Sequence, residues 1–206
     1  MKKIKYLIIL LILILVGIIG NRIYIKITST TSDPTTGEKV KIGDKVDSFN
    51  DVIVYYNGPV SNVIGRNTTS SGYNLGLKYQ CVEFVKRYYY EYLDHEMPDS
   101  YGHAKDFFDE NIPDGKMSPK RNLIQYSNPS ISKPEVSDLI VFGATPYNRY
   151  GHVAIISDVT EDEIEIIQQN PGPFANSRER YDLKIIEGKW EIQNKKTLGW
   201  LRKENE

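Results

Sequence analysis

The most constraining feature of this 206-residue chain is an uninterrupted apolar run near its N-terminus. It extends from Tyr6 to Gly20 and follows three lysines within the first five residues. The run has no polar face, so we do not expect it to pack as an amphipathic helix on a globular core. Its 15 residues fall short of the ~20 that cross a bilayer core, but further apolar residues follow a two-residue polar interruption. We therefore predict that residues 6–25 attach the chain to a membrane.

The same segment has features of a secretory signal, and both alternatives stay open. A cleavable signal ends in small residues at positions −3 and −1, whereas the best candidate here, Ile18-Ile19-Gly20, has a β-branched residue at −3. An uncleaved anchor fits better, because Arg22 and Lys26 can reach the interface. The N-terminal lysines favour a cytoplasmic N-terminus. We predict a membrane-anchored protein whose domain is extracytoplasmic, at the cell surface or in the periplasm, or alternatively a secreted protein.

Beyond this segment, the chain divides into a polar spacer and one folded domain. Residues 1–27 form the predicted anchor, residues 28–45 a linker rich in Thr, Ser, Lys, Asp and Gly, and residues 46–206 the domain. Apolar residues recur at helical spacing over residues 81–93, and residues 102–111 indicate a second helix. Strands are predicted at residues 52–56, 138–142, 152–156, 163–167 and 197–201. Helices followed by an antiparallel sheet predict an α+β fold.

The composition excludes several classes of site. The chain has 26 Lys and Arg against 27 Asp and Glu, a net charge of −1, so nothing indicates a nucleic-acid partner. Its single cysteine, Cys81, makes an intrachain disulfide impossible and excludes a zinc site built on several thiolates.

Cys81 lies where a nucleophilic thiolate is favoured. It stands at the predicted start of the first helix, where unpaired N–H groups and the helix dipole stabilise negative charge. The alternative is structural: Cys81, Val85 and Tyr89 share one helical face, so Cys81 is also explained as the first inward-facing residue of that helix.

Three histidines are candidates for a general base. His95 lies in a charged stretch, and we interpret it as a solvated surface residue. His103 is near the start of the second predicted helix, as a cap or packing residue. His152 follows Gly151 and begins an apolar strand that can present its ring at a sheet edge, so it is the best of the three. A purely structural role for His152 stays open.

A partner for the imidazole is expected from the next strand. Residues 164–170 follow the His152 strand across a short turn, and an antiparallel hairpin brings the end of the second strand beside the start of the first. Gln168 and Asn170 therefore fall near His152, and either amide oxygen accepts from an imidazole N–H. The alternative is that both are polar residues at a strand end.

Taken in order, these segments resemble the CHAP family, the cysteine- and histidine-dependent amidohydrolases/peptidases. The similarity covers about residues 52–202 and is closest to the amidase half of glutathionylspermidine synthetase/amidase. It implies a papain-like fold in which a nucleophile helix packs against an antiparallel sheet. The matching stretches are Tyr79–Phe84, Pro134–Phe142, Gly151–Ile156, Gln168–Asn170 and Leu198–Trp200.

The resemblance implies an acyl-transfer site that needs neither a metal nor an organic cofactor. Cys81 would be the nucleophile and His152 the base. The third residue of the family is commonly Glu, whereas this chain has Gln168 followed by Asn170. Either amide can orient an imidazole but stabilises imidazolium less than a carboxylate does. The backbone N–H of Cys81, with the side chain of Gln80, is expected to stabilise the oxyanion.

The substrate implied by the resemblance is a peptide or another amide. The exported topology favours peptide amides of the cell wall, that is, peptidoglycan, which many CHAP domains cleave. The sequence likeness favours glutathionylspermidine as the alternative. Because Gln168 replaces the usual carboxylate, a non-catalytic binding module using the same groove also stays open, as does a membrane-tethered structural protein in which Cys81 is merely packed.

Overall fold

The computed structural model describes residues 2–32, 37 and 39–204. Its helices are α1 (Lys2–Ser29), α2 (Cys81–Glu91) and a short 3₁₀ helix (Ala104–Phe107). Its strands are β1 (Thr30–Ser32), β2 (Lys39–Lys41), β3 (Lys45–Phe49), β4 (Val52–Tyr55), β5 (Arg66–Thr68), β6 (Asn74–Leu77), β7 (Lys116–Ser118), β8 (Leu123–Ser127), β9 (Leu139–Phe142), β10 (His152–Val159), β11 (Glu163–Ile167), β12 (Arg178–Ile186), β13 (Lys189–Ile192) and β14 (Thr197–Arg202).

The apolar N-terminal run forms one long helix, α1. The stretch Lys3–Thr28 is long and apolar enough to cross a membrane by length and composition, and its apolar side chains are exposed. It therefore fits a membrane anchor or a signal sequence. Its end packs on the domain, because the buried Thr28 accepts a 2.8 Å hydrogen bond from the Tyr56 hydroxyl at its carbonyl oxygen.

Residues 28–45, the segment interpreted as a polar linker, contain regular structure. Strands β1 and β2 pair antiparallel, with Thr31 opposite Val40. Strand β3 begins at Lys45 and pairs with β4. The chain between α1 and the domain is thus partly strand.

An eight-stranded antiparallel sheet forms the body of the domain, in the order β13-β12-β11-β10-β9-β14-β8-β7. Four of the predicted strands are the central neighbours β11, β10, β9 and β14, and the fifth is β4. Strands β9 and β10 are buried on both faces, which explains their continuous apolar sequence. The fold is α+β, as predicted, and consistent with a papain-like CHAP fold.

The sheet has a hydrophobic core on each face. The first core packs α2 against β9 and β10, and the second lies on the opposite face, beneath the β12–β13 ribbon. Side chains of α2 that enter the first core are Phe84, Val85, Tyr88 and Tyr89. This packing fixes the start of α2 against the start of β10.

The helix predicted over residues 102–111 is wrong, since only Ala104–Phe107 is helical, as a 3₁₀ turn. The Asp109 side chain accepts from the backbone and side-chain amides of Asn111, a local turn that competes with a helix. The backbone N–H of Asp109 donates to Gln125 on β8. The segment is thereby bound to the sheet rather than continued as a helix.

Candidate active site

Cys81 is the first residue of α2. Gln80 before it has extended backbone (φ −83°, ψ 162°), so the helix begins abruptly. Cys81 is half-buried, and the backbone N–H of Val153, the residue after His152, is close enough to lower the pKa of its thiol. The sulfur therefore lies near the start of β10.

Burial raises the pKa of the Cys81 thiol above its ordinary value. The backbone N–H groups of Val153, Val82 and Cys81 act in the opposite direction, as expected at a helix N-terminus. Burial prevails, so the resting group at neutral pH is the thiol rather than the thiolate.

His152 is fixed by its position opposite Phe142 in the β9–β10 ladder. Gly151 before it has φ +73°, and a Cβ there would lie 2.5 Å from the carbonyl oxygen of Phe142. Only glycine fits this approach without a shift of the backbone. The close approach to Phe142 therefore explains why glycine precedes His152.

The amide of Gln168 orients the His152 ring. His152 Nε2 lies 2.9 Å from Gln168 Oε1, and Gln168 Nε2 donates to the carbonyl oxygen of Asn176 at 3.2 Å. Because a carbonyl only accepts, the NH₂ group of Gln168 must face Asn176 and its oxygen must face His152. That arrangement places the imidazole proton on Nε2 and leaves Nδ1 unprotonated.

Burial also lowers the pKa of His152, to about 4. The hydrogen bond with Gln168 and the carboxylate of Glu179 act in the opposite direction. His152 is therefore a neutral imidazole at pH 7. Glu179, on β12, was not anticipated from the sequence, because nothing local indicates that β12 lies beside β11.

Asn170 lies beside the site but contacts other groups. Its backbone is in the left-handed region (φ +59°), so the chain turns away from the direction of β11 at this residue. Its side-chain amide donates to Gln80 Oε1 at 2.7 Å and to the carbonyl oxygen of Val60 at 3.0 Å. Of the two amides expected near His152, Gln168 is the one hydrogen-bonded to the imidazole.

Gln80 is engaged by a neighbouring loop. Its Nε2 donates to the carbonyl oxygens of Asn62, at 2.6 Å, and Val60, at 3.2 Å. Both amide hydrogens are thereby used. The arrangement differs from the expected contact with an oxyanion, which would require one of these hydrogen bonds to break.

Gln169 and Glu83 form a buried junction whose role the sequence left unassigned. Gln169 accepts from the backbone N–H of Tyr55 at 2.8 Å and donates to Glu83 at 2.8 Å and to the carbonyl oxygen of Gln80 at 3.1 Å. Glu83 also pairs with Arg87 at 2.7 Å. The junction joins β4, the end of β11 and the start of α2. The usable signal was strand alternation, which turns Gln169 to the face opposite Gln168.

The other two histidines lie outside this site. The interpretation of His95 as a solvated surface residue is wrong, because it is buried and its Nε2 lies 2.8 Å from the carbonyl oxygen of Arg121. His103 precedes the 3₁₀ helix, where its backbone N–H donates to Asp106 and its ring packs against Tyr150. His103 is thus a cap and packing residue, as predicted.

A cleft of about 650 Å³ opens beside the imidazole. Its lining includes His152, Gln168, Asn170, Glu179 and Val60. Within residues 2–32, 37 and 39–204, no group of three or more His, Cys, Asp or Glu side chains is placed to hold a metal ion. Cys81 is not among the residues that line this cleft, whereas His152 is. A thiol and a neutral imidazole are the two protein groups that acyl transfer requires.

A family model matches the part of the chain that contains these residues. Residues 71–170 match the family model of the CHAP domain, an interval that contains Cys81, His152, Gln168 and Asn170. Trypanothione synthetase from Crithidia fasciculata is 31% identical over 106 residues, which are 52% of this chain and 16% of that protein. Glutathionylspermidine synthase from the same organism is 31% identical over 100 residues, 48% of this chain and 14% of that protein.

The matched region is a small part of each relative, since the chain spans about one sixth of the length of these two proteins. The crystal structure of Ly7917 overlaps 36% of this chain and 30% of its own, with 24% sequence identity and a TM-score of 0.26.

Proposed function

We propose that the protein is a cysteine hydrolase of amide bonds, because residues 71–170 match the family model of the CHAP domain. Cys81 is the nucleophile and His152 its general base. One observation supports this most strongly: the Cys81 thiol lies against the Val153 amide while Gln168 leaves the Nδ1 atom of His152 unprotonated.

The proposed reaction is acyl transfer in two steps. The Cys81 thiol proton moves to His152 Nδ1 as sulfur attacks the amide carbonyl carbon. His152 then gives that proton to the amine, the C–N bond breaks, and a thioester to Cys81 remains. In the second step, His152 takes a proton from water as the hydroxyl adds to the thioester carbonyl carbon. The C–S bond then breaks, the carboxylic acid leaves, and His152 returns the proton to the sulfur of Cys81.

The oxyanion formed in each step needs hydrogen-bond donors. We assign this role to the backbone N–H of Cys81, which belongs to the first turn of α2 and has no partner inside the helix. Gln80 would contribute only after releasing Asn62 or Val60. In the present arrangement its side chain positions the loop beside the cleft.

Gln168 is assigned the role of orienting His152. Its own orientation is set by Asn176, so the hydrogen bond to Nε2 does not depend on a charge at position 168. Asn170 is assigned a supporting role, because it holds Gln80 and Val60 rather than the imidazole.

For the substrate, we propose peptide amides of the cell wall. This rests on export: the apolar helix α1 fits an anchor or a signal sequence, and the lysines before it favour a cytoplasmic N-terminus. The alternative, an amide of the glutathionylspermidine type, is motivated by the names of the two relatives. A non-catalytic binding module is the third candidate, motivated by the neutral Gln168.

Release of new amines from two substrates tests the proposal. The full chain, in detergent or vesicles, is incubated with purified peptidoglycan and separately with glutathionylspermidine. We expect amine release from peptidoglycan, reduced by about 10³-fold or more in Cys81→Ala and His152→Ala. His103→Ala is the matched control, since this exposed histidine lies outside the site, and it should retain activity. Amine release from glutathionylspermidine alone would contradict the cell-wall substrate and support the alternative amide. No amine release from either substrate would contradict the hydrolase and support the non-catalytic binding module.

A further inference from the structure

The end of α1 sets how the domain meets a membrane. Residues 6–25 are 20 residues long, so as a helix they span about 30 Å, the thickness of a bilayer core. Thr28 lies three residues further on, about 4.5 Å beyond that core. Thr28 therefore falls within the headgroup layer when α1 spans the bilayer.

The domain contacts α1 at Thr28. The Tyr56 hydroxyl donates to the carbonyl oxygen of Thr28 at 2.8 Å. Burial raises the pKa of Tyr56, and Tyr24, one turn earlier on α1, adds to that effect. A Cβ at Gly58 would lie 3.0 Å from the same carbonyl oxygen of Thr28. Residues 56–58 are thus packed along the last turn of the helix.

The chain leaves this contact as an apolar loop, residues 57–64. Three of its side chains are exposed although they are large and apolar: Val60 (45%), Val63 (52%) and Ile64 (54%). The loop is braced from within, because Asn62 Nδ2 donates to the carbonyl oxygen of Asn57 at 3.0 Å. The loop begins at the end of α1, where Gly58 packs on Thr28, and its exposed apolar side chains follow within six residues.

Five basic residues lie near the same end of α1, together with the exposed Asp44 of the β2–β3 turn. Arg22 and Lys26 lie on its last turns, and Lys39, Lys41 and Lys45 are exposed on β2 and β3. The β2–β3 turn is joined to Tyr56, because the backbone N–H of Gly43 donates to its carbonyl oxygen at 2.9 Å. Basic side chains near a bilayer favour anionic headgroups.

The apolar loop is also connected to the cleft. Gln80 and Asn170 both donate to the carbonyl oxygen of Val60, and the side chain of Val60 lies among the residues that line the cleft beside His152. A surface bound by the loop would therefore lie at one wall of the cleft.

We propose that the apolar loop is a membrane-contact surface that inserts Val63 and Ile64 into the headgroup layer around α1 and holds the cleft against the bilayer. This inference rests on the proposed role of α1 as an uncleaved anchor. The partner of the apolar loop is a lipid bilayer that contains anionic headgroups. The consequence is that the cleft faces amides carried close to the membrane.

Depth-dependent quenching tests the proposal without any need for turnover. In a full-length Cys81→Ser background, which removes the native thiol, single cysteines are introduced as Val63→Cys and Ile64→Cys and labelled with an environment-sensitive fluorophore. The protein is reconstituted in phosphatidylcholine and phosphatidylglycerol vesicles that carry a shallow spin-labelled lipid.

Two further positions serve as references. Ile185→Cys is the matched control, since Ile185 is 61% exposed and lies seven residues, roughly 23 Å, along β12 from the cleft residue Arg178. Ile14→Cys reports whether α1 itself is inserted, measured with a deep spin label. We expect loss of fluorescence at positions 63 and 64 and unchanged intensity at position 185.

The possible outcomes distinguish the membrane-contact surface from the anchor. Quenching at position 14 without quenching at 63 and 64 would overturn the membrane-contact surface and leave the hydrolase proposal intact. An unquenched label at position 14 would overturn the anchor and this inference together. Amine release by the wild-type chain is measured separately, so failure of catalysis is distinguishable from both.

Discussion

At the scale of single residues, burial acts on both members of the proposed pair. It lowers the pKa of His152 to about 4 and raises the pKa of the Cys81 thiol. Both groups are therefore neutral at pH 7, and the proposed attack requires proton transfer from sulfur as the S–C bond forms. The lowered pKa also makes unfolding easier as pH falls from about 6.5 to about 4. In that window the unfolded chain binds a proton that the folded chain resists.

Gln168 offers a direct test of how the imidazole is set. In Gln168→Glu, a carboxylate at this position favours imidazolium and raises the pKa of His152, so the acid limb of kcat/KM should move to higher pH. In Gln168→Leu, loss of a hydrogen bond of about 1–3 kcal/mol should lower kcat/KM by roughly 5- to 150-fold.

The measurement is a pH–rate profile of amine release for both variants. Gln193→Leu, at an exposed glutamine far along the chain, is the control and should behave as wild type. An unchanged rate in Gln168→Leu would contradict the assigned role.

At the scale of elements, the central sheet and α2 follow from sequence patterns, while the edges do not. Strands β9, β10 and β14 have the continuous apolar runs expected of strands that are buried on both faces. The apolar residues of α2 recur at helical spacing and form one face. Strand β12, over Arg178–Ile186, alternates charged residues on an exposed face and is defined by pairing with β11 and β13, which a local pattern does not reveal.

The contacts of the candidate site also fall into those that sequence patterns predict and those that they do not. The proximity of Gln168 to His152 followed from hairpin geometry, because the two lie on consecutive strands. The contacts of Gln80 with Asn62 and of Gln169 with Tyr55 join segments far apart in sequence, and no spacing rule relates them. Long-range polar contacts therefore had to come from the structure.

The Glu83 junction should carry much of the stability of this region. In Glu83→Gln, the buried Arg87 loses its close carboxylate and keeps the half-exposed Glu91 at 3.9 Å, a change that costs about 3–5 kcal/mol. The free energy of unfolding, from urea titration of the full chain in detergent, should fall by that amount. Glu163→Gln breaks the exposed pair with Arg180 and should cost at most about 1 kcal/mol. Equal costs in the two variants would contradict the account.

At the scale of the whole molecule, α1, the apolar loop and the cleft form a continuous series of contacts. Thr28 contacts Tyr56, and the apolar loop follows Tyr56 in the chain. Asn170, which lines the cleft beside His152, donates to Val60 of that loop and to Gln80. This arrangement makes anchoring part of the proposed function, because the helix positions the cleft as well as retaining the domain.

Orientation across the membrane is the prediction at this scale. The lysines before α1 should keep the N-terminus in the cytoplasm, so protease added to right-side-out vesicles should digest the domain. Changing Lys2, Lys3 and Lys5 to Glu should reverse or scramble this orientation. Protection of the wild-type domain in those vesicles would contradict export, and with it the proposed wall substrate.

The central claim is that an acyl group passes through the sulfur of Cys81. Acid quenching of the full chain during turnover, followed by mass spectrometry of its peptides, measures this directly. We predict an acyl mass on the Cys81 peptide that disappears on treatment with hydroxylamine and is absent from Cys81→Ala. Turnover by the wild-type chain that continues undiminished in Cys81→Ala, with no mass on that peptide, would contradict the account.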